Sequence, residues 1–131
     1  LGWLDLAVTG CLLNTQHLET VMIKSLSLLT RKPEMTVEAF RKVWLEEHAP
    51  MVHSVPEVRR YVLSFPLAEP TRPDVPTPEV RCDAIAELWY DDMASLQKAA
   101  TSAAMKRVTD NGAKYLGSIK TFVMEEVGII R

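Results

Sequence analysis

Hydrophobic and polar residues alternate along four separate stretches of the chain, a pattern typical of strands whose two faces meet different surroundings. In the first stretch, Ser25, Ser27 and Leu29 fall on one face, whereas Lys24 and Leu26 fall on the other. Turn-forming residues, above all proline, interrupt the pattern between strands. The predicted strands are residues 22–30, 58–65, 82–90 and 118–127.

A helical period replaces the alternation between the first two predicted strands. Phe40, Trp44 and His48 recur at a spacing of four, so they share one face of a helix. Thr36 is a suitable N-cap residue for this helix. Pro50 predicts its end, because proline lacks the backbone N–H group and clashes with the preceding turn.

A second helical region is predicted between the third and fourth strands. Either Asp91 or Asp92 is suited to cap its first part, and either Thr101 or Ser102 its second part. The pair Asn111–Gly112 predicts where this region ends. The order of elements is therefore β-α-β-β-α-β.

This order is typical of the ferredoxin-like α+β fold, a four-stranded antiparallel sheet with its helices on one face. The other face of the sheet would be bare in a monomer. Because that face carries apolar residues here, we expect it to be buried against a second copy of the chain. The pattern thus predicts a homodimer.

Composition narrows the class of function. The chain has 131 residues, of which 15 are basic and 17 acidic, with a net charge of −2. No basic stripe is present, so nucleic acid is not an expected partner. No apolar run reaches the roughly 20 residues of a membrane span, so no membrane contact is expected either. Cys11 and Cys82 form neither a CxxC pair nor a metal-ligand spacing, which predicts no metal and favours the cytoplasm.

The beginning of the chain differs from the rest. Residues 1–21 contain no Lys or Arg, and a secretory signal requires a positive start. We expect this segment to be an arm or leader outside the domain, or read-through from an upstream start. The domain itself is predicted over residues 22–131.

His48 is the strongest candidate for chemistry. Its imidazole is suited to proton transfer near neutral pH, and it lies on the apolar face of the first helix. A core histidine bonded to a backbone group is the alternative. Asp83 could orient His48 or face solvent, and Tyr61 could donate to a developing oxyanion or serve only in packing. Cys82 beside Asp83 should have a raised pKa, so we expect no activated thiolate there.

Several aromatic side chains could form an apolar pocket around these groups, although core packing is the ordinary role of such residues. No Gly-rich phosphate loop, nucleophile elbow or HExxH motif occurs in the sequence. We therefore expect no cofactor. The candidates for the pocket walls are Trp44, Phe65, Trp89, Tyr115 and Phe122.

Three stretches of the chain resemble proteins of the EthD type. Residues 40–50, with His48, resemble the first helix of that family, residues 83–91 its third strand and residues 120–126 its last strand. The resemblance does not include the arm. It implies the ferredoxin-like fold, assembly into dimeric α+β barrels, and a pocket between helices and sheet that is lined by His48.

Within this family the sequence is similar to the methylmuconolactone methylisomerases, which implies that His48 and Tyr61 are pocket residues. Those enzymes have a cysteine in the third strand, at the position that Leu88 occupies here. Leucine cannot act as a nucleophile or an acid, so the same methyl isomerisation is not implied. Cys82 lies roughly 20 Å away along the strand and does not replace the missing thiol.

The resemblance and the candidate residues together predict a protein of small-molecule catabolism. It would be a cofactor-free isomerase or cyclase that binds a small hydrophobic lactone, enol or aromatic-derived ketone. His48 would move the proton, Asp83 would orient His48 and Tyr61 would stabilise an oxyanion. The alternatives are a non-catalytic accessory protein of an oxidative degradation pathway and a cofactor-independent monooxygenase.

Overall fold

The computed structural model describes residues 22–130, and the predicted arm at residues 1–21 lies outside the described part of the chain. Within it, four strands form one antiparallel sheet and the helices pack against one face. The elements are β1 (Met22–Arg31), α1 (Val37–Val43), β2 (Arg60–Ser64), β3 (Ala84–Tyr90), α2 (Met93–Ala100), α3 (Ala103–Ala113) and β4 (Leu116–Glu126).

The sheet has the strand order β2-β3-β1-β4, with every neighbouring pair antiparallel. β1 is central, and Ser27 pairs with Ala86 of β3 on one side and with Thr121 of β4 on the other. The two helical regions connect β1 to β2 and β3 to β4. This arrangement confirms the predicted ferredoxin-like α+β fold.

Three helices begin at residues that the sequence offered as caps. The Thr36 side chain accepts a hydrogen bond from the Ala39 N–H at 3.1 Å. The Asp92 carboxylate caps α2, and the Ser102 hydroxyl accepts from the Met105 N–H at 3.1 Å to cap α3. Each cap satisfies a donor that would otherwise lack a partner in the first turn.

The first helical region continues past the predicted end at Pro50. After α1 the backbone widens into a π-helical turn, Trp44–His48, and then tightens into a 3₁₀ segment, Ala49–Ser54. Pro50 lies in the first turn of this tighter segment, a position at which proline is tolerated. The prediction of an end at Pro50 was therefore wrong, although regular α-helix does stop before it.

The predicted break at Asn111–Gly112 is also wrong, because α3 runs through both residues to Ala113. Gly112 is buried against the first helical region. A Cβ atom at this position would lie 3.0 Å from Cε1 of His48 and 3.2 Å from Cη2 of Trp44. The glycine thus permits close helix packing instead of ending the helix.

The core consists of two clusters under the helices. One contains Leu29, Phe40 and Trp44, and Met35 packs against it. Phe40 and Trp44 therefore share one face of the first helical region, as their spacing of four predicts. The other contains Tyr90 from β3, together with residues from the 3₁₀ segment and from α2 and α3. The candidate site lies where the two clusters meet.

The opposite face of the sheet carries no helix in the described chain. Leu26 of β1 pairs with Phe122 of β4 on this face, and Phe122 is 47% exposed. Trp89 lies on the same face, with Lys24 and Arg60 over its ring. We call this surface the open face. In the described part of the chain no helix is long and apolar enough to cross a membrane.

Candidate functional site

A cavity of about 580 Å³ lies between the helices and the sheet. The sheet supplies alternate residues of β1 and β3, all from the face that meets the helices. The helical regions supply the opposite wall, and most of the lining is apolar. The polar lining side chains are Ser25, Ser27, His48, Tyr61, Tyr90, Thr109, Ser118 and Thr121.

His48 is held rigidly at one side of this cavity. The π-helical turn places its ring against the indole of Trp44, with ring centroids 3.8 Å apart. Gly112 of α3 packs closely against both rings, and His48 is only 6% exposed. This packing restricts the imidazole, which still lines the cavity.

The hydrogen bonds around His48 determine which of its ring nitrogens carries the proton. The Asn111 amide NH₂ donates to a carboxylate oxygen of Glu47 at 2.9 Å, and a carboxylate can only accept. The Asn111 carbonyl oxygen therefore faces Nδ1 of His48, at 2.9 Å. Because that oxygen only accepts, Nδ1 must donate, and neutral His48 has an unprotonated Nε2.

Burial lowers the pKa of His48 below its ordinary value of 6.5, and the Asn111 hydrogen bond and the Glu47 charge only partly oppose this effect. The imidazole is therefore neutral near neutral pH. Its Nε2 atom is a base with a free lone pair, and His48 lines a cavity that is mostly apolar. This is the state that general-base catalysis requires.

Tyr61 complements His48 as an acid. Burial raises the pKa of its phenol to about 12, so the hydroxyl keeps its proton. The indole N–H of Trp44 lies beside this phenol and slightly opposes the rise, but it makes no regular hydrogen bond. Because an indole N–H only donates, it leaves the Tyr61 proton available to a ligand oxygen.

A second phenol, Tyr90, lines the same cavity. Burial raises its pKa, and the nearby Glu57 charge adds to this effect. The Ser25 hydroxyl acts weakly in the opposite direction. Next to these groups, the hydroxyls of Ser27 and Thr121 bond to each other at 2.8 Å across β1 and β4. The sheet wall therefore offers only neutral polar groups.

The hydrogen bonds that run from His48 through Asn111 and Glu47 end at Tyr115. The Tyr115 hydroxyl donates to the same Glu47 oxygen that Asn111 contacts, at 2.5 Å. This bond, followed by the Asn111 bond, lowers the pKa of the Glu47 carboxyl. Tyr115 thus supports the residues that hold His48, and it does not line the cavity.

The structure brings three of the predicted site residues together. Trp44, His48 and Tyr61 all line the cavity. Phe65 does not line it, since it packs at the edge of the first core cluster, with the Arg41 guanidinium 4.2 Å from its ring centre.

Asp83 does not contact His48. It accepts hydrogen bonds from the Arg31 backbone N–H at 2.8 Å and from the Arg31 guanidinium at 2.5 Å. A partly buried carboxylate requires such a partner, and arginine supplies two donors to it. Asn111 occupies the orienting position that the sequence suggested for Asp83.

Trp89 and Phe122 lie on the open face, away from the cavity. Side chains alternate between the two faces of a strand, and the cavity is lined by Leu88 and Tyr90 of β3 and by Thr121 of β4. Trp89 and Phe122 have the opposite parity. The Trp89 indole N–H instead donates to a carboxylate oxygen of Glu126 at 3.1 Å.

Cys82 is not activated in this structure. Its thiol donates to the Ala84 carbonyl at 3.3 Å, and burial raises its pKa. Residues 22–130 contain no cluster of three or more His, Cys, Asp or Glu side chains that could hold a metal ion.

The architecture and the site define a class: a ferredoxin-like α+β protein with a buried histidine in a cavity between its helices and sheet. The family model of the EthD domain matches residues 32–118. The chain belongs to the EthD domain family. It is 33% identical over 107 residues to the 4-carboxymethyl-4-methylbutenolide mutase of Pseudomonas reinekei, a match that covers 81% of this chain and 99% of the mutase.

Solved structures support the same assignment. An EthD family protein from Bacillus halodurans is similar with a TM-score of 0.66 and 25% identity, covering 81% of this chain and 99% of that one. A dimeric protein of ferredoxin-like fold from Bacteroides fragilis matches with a TM-score of 0.58 and 14% identity, covering 80% and 96% of the two chains. The second likeness concerns the fold alone.

Proposed function

We propose that this protein catalyses a cofactor-free proton transfer, an isomerisation or cyclisation, on a small hydrophobic lactone, enol or aromatic-derived ketone. The observation that carries the proposal is a base and an acid on the wall of one apolar cavity. His48 has an unprotonated Nε2, and Tyr61 keeps its phenolic proton. The resemblance to a butenolide mutase supports the isomerase class.

The reaction would proceed in two steps. Nε2 of His48 removes a proton from a carbon next to the ligand carbonyl, and the electron pair moves onto the carbonyl oxygen. Tyr61 donates a hydrogen bond to the resulting oxyanion. The imidazolium then returns the proton to a different carbon or to oxygen, which completes the isomerisation and restores neutral His48. Asn111 keeps Nδ1 in place throughout.

Leu88 lies in the cavity wall, on the same strand face as Ala86 and Tyr90. It occupies the position at which the resemblance to the methylisomerases places a cysteine. The proposed chemistry uses His48 and Tyr61 alone, so it needs no thiol at this position. We therefore propose proton transfer and not the methyl isomerisation of that group.

We also propose that the protein is a homodimer. The open face leaves Phe122 and Met124 47% and 38% exposed. Apolar residues on an uncovered sheet favour burial against a second copy. The similar protein from Bacteroides fragilis is described as dimeric, which supports the proposal.

The test of the proposed chemistry is deuterium exchange at the carbon next to the carbonyl, followed by NMR in D₂O with a panel of butenolides, enols and aryl ketones. We expect exchange by the wild type to fall by about 10²–10⁴-fold in His48→Gln, because a positioned base contributes that factor. Tyr61→Phe should also lower it. His53→Gln is the matched control, since His53 is exposed.

Two outcomes would contradict the proposal. Undiminished exchange in His48→Gln would remove His48 from the chemistry. Binding of a panel member without exchange in any variant would instead support a non-catalytic role, in which the cavity only holds a hydrophobic intermediate.

A further inference from the structure

We propose that the cavity selects an uncharged ligand and rejects one whose buried part carries a carboxylate. The inference rests on the proposed function and narrows its substrate class. None of the described residues that line the cavity is a lysine or an arginine. A carboxylate placed there would lose its hydration without gaining a cationic partner, which is unfavourable.

The cavity offers little else that could hold an anion. His48 is the one described lining side chain that could become a cation, and its burial keeps it neutral. The Ser27 and Thr121 hydroxyls are neutral and already bond to each other at 2.8 Å. The lining is therefore suited to a ligand with one carbonyl and an otherwise apolar body.

Two arginines of a neighbouring groove are engaged elsewhere. A groove beside β2 contains Arg59 and Arg60 and shares the Tyr61 side chain with the cavity, but neither arginine lines the cavity. Arg59 donates to the Asp91 carboxylate at 2.9 Å. Arg60 lies 4.7 Å from the ring centre of Trp89, which is on the open face.

The rest of the sequence adds few candidates. Residues 1–21 contain no Lys or Arg, so Arg131 and His17 are the residues outside the described part of the chain whose side chains could carry a positive charge. The mutase relative is named for a butenolide with a carboxymethyl group, which is ionised at neutral pH. This chain would therefore differ from its relative in the charge of the substrate.

The experiment compares binding of matched ligands by isothermal titration calorimetry at neutral pH. Each pair consists of one butenolide or aryl ketone with either a carboxylate or a carboxamide on the ring, since these two groups have nearly the same size. We expect the carboxamide to bind the wild type at least about tenfold more tightly, because the carboxylate remains unpaired.

A charge placed at the cavity should reverse this preference. Ile119 lines the cavity from β4 and is 54% exposed, so arginine can be accommodated there. Ile119→Arg should tighten carboxylate binding about tenfold by ion pairing. Val80→Arg is the matched control, because Val80 is 52% exposed and does not line the cavity.

Equal or tighter binding of the carboxylate by the wild type would overturn the inference, as would failure of every uncharged member to bind. Binding is measured without turnover, so the two proposals fail separately. A protein that binds the carboxamide ligands but exchanges no proton on the carbon next to the carbonyl would refute the proposed chemistry. The proposed charge selection would remain in place.

Discussion

Asn111 fixes the state of the proposed base, yet its sequence position gives no sign of this role. His48 and Tyr61 could be selected from the sequence because imidazole and phenol carry chemistry and because His48 lies on an apolar helical face. The partner of His48 could not be selected in this way, since Asn111 belongs to α3 and is 63 residues distant in sequence. Asp83 was the plausible candidate, but Arg31 satisfies its charge.

Replacing Asn111 with aspartate should raise the pKa of His48. A carboxylate at Nδ1 favours the imidazolium, whereas the Asn111 carbonyl oxygen accepts the Nδ1–H hydrogen bond without carrying a charge. NMR titration of the His48 ring measures this shift. Asp110→Asn is the matched control, because Asp110 is exposed and pairs with Lys106. An unchanged or lower pKa in Asn111→Asp would show that Asn111 does not contact His48.

The lowered pKa of His48 also predicts how stability depends on pH. The folded state binds the His48 proton more weakly than the unfolded state, so this contribution to stability is fully present above the ordinary pKa of 6.5 and is lost as pH falls below it. We expect the melting temperature of the wild type to fall through this range and His48→Gln to reduce the fall. His53→Gln should retain the wild-type profile, and equal profiles for all three would refute the prediction.

The helices and strands were largely predictable because their patterns are local. Periods of two and of four residues predicted the correct elements in the correct order. Thr36 was the predicted cap of the first helix, and Asp92 and Ser102 are each one of the two residues offered for the other caps. The two errors arose at Pro50 and Gly112, which usually end helices. Here Pro50 lies in the first turn of the 3₁₀ segment, and Gly112 leaves room for the His48 ring of the first helical region.

Gly112→Ala should therefore destabilise the protein by about 1–3 kcal/mol, as overpacking of a core does. The new methyl group would lie 3.0 Å from Cε1 of a His48 ring that is stacked on Trp44 and has little room to move. Urea denaturation measures the change. In a His48→Ala background the same substitution should cost much less, and an equal cost in both backgrounds would place the strain elsewhere.

At the scale of the whole molecule, the sheet has two faces with different roles. One face forms the cavity with the helices, and the other, the open face, presents Phe122 and Met124. The period of two predicted that both faces carry apolar residues. It cannot tell which face meets the helices, and for this reason the sequence alone predicts that Trp89 and Phe122 line the pocket.

Phe122→Glu should convert a dimer into a monomer, because it replaces a large apolar side chain of the proposed interface with a carboxylate that would have to lose its hydration there. Size-exclusion chromatography with light scattering measures the mass at micromolar concentration. Val80→Glu adds the same charge at an exposed position between β2 and β3 and should remain dimeric. A wild type that is monomeric under these conditions would refute the proposed dimer.

In the proposed mechanism, His48 presents an unprotonated Nε2 to the cavity. Long-range ¹H–¹⁵N NMR of the His48 ring at neutral pH reports this state, because the nitrogen shifts distinguish the two neutral tautomers from the imidazolium. We expect a protonated Nδ1 and a bare Nε2. A protonated Nε2, in either the other tautomer or the imidazolium, would contradict the proposed base.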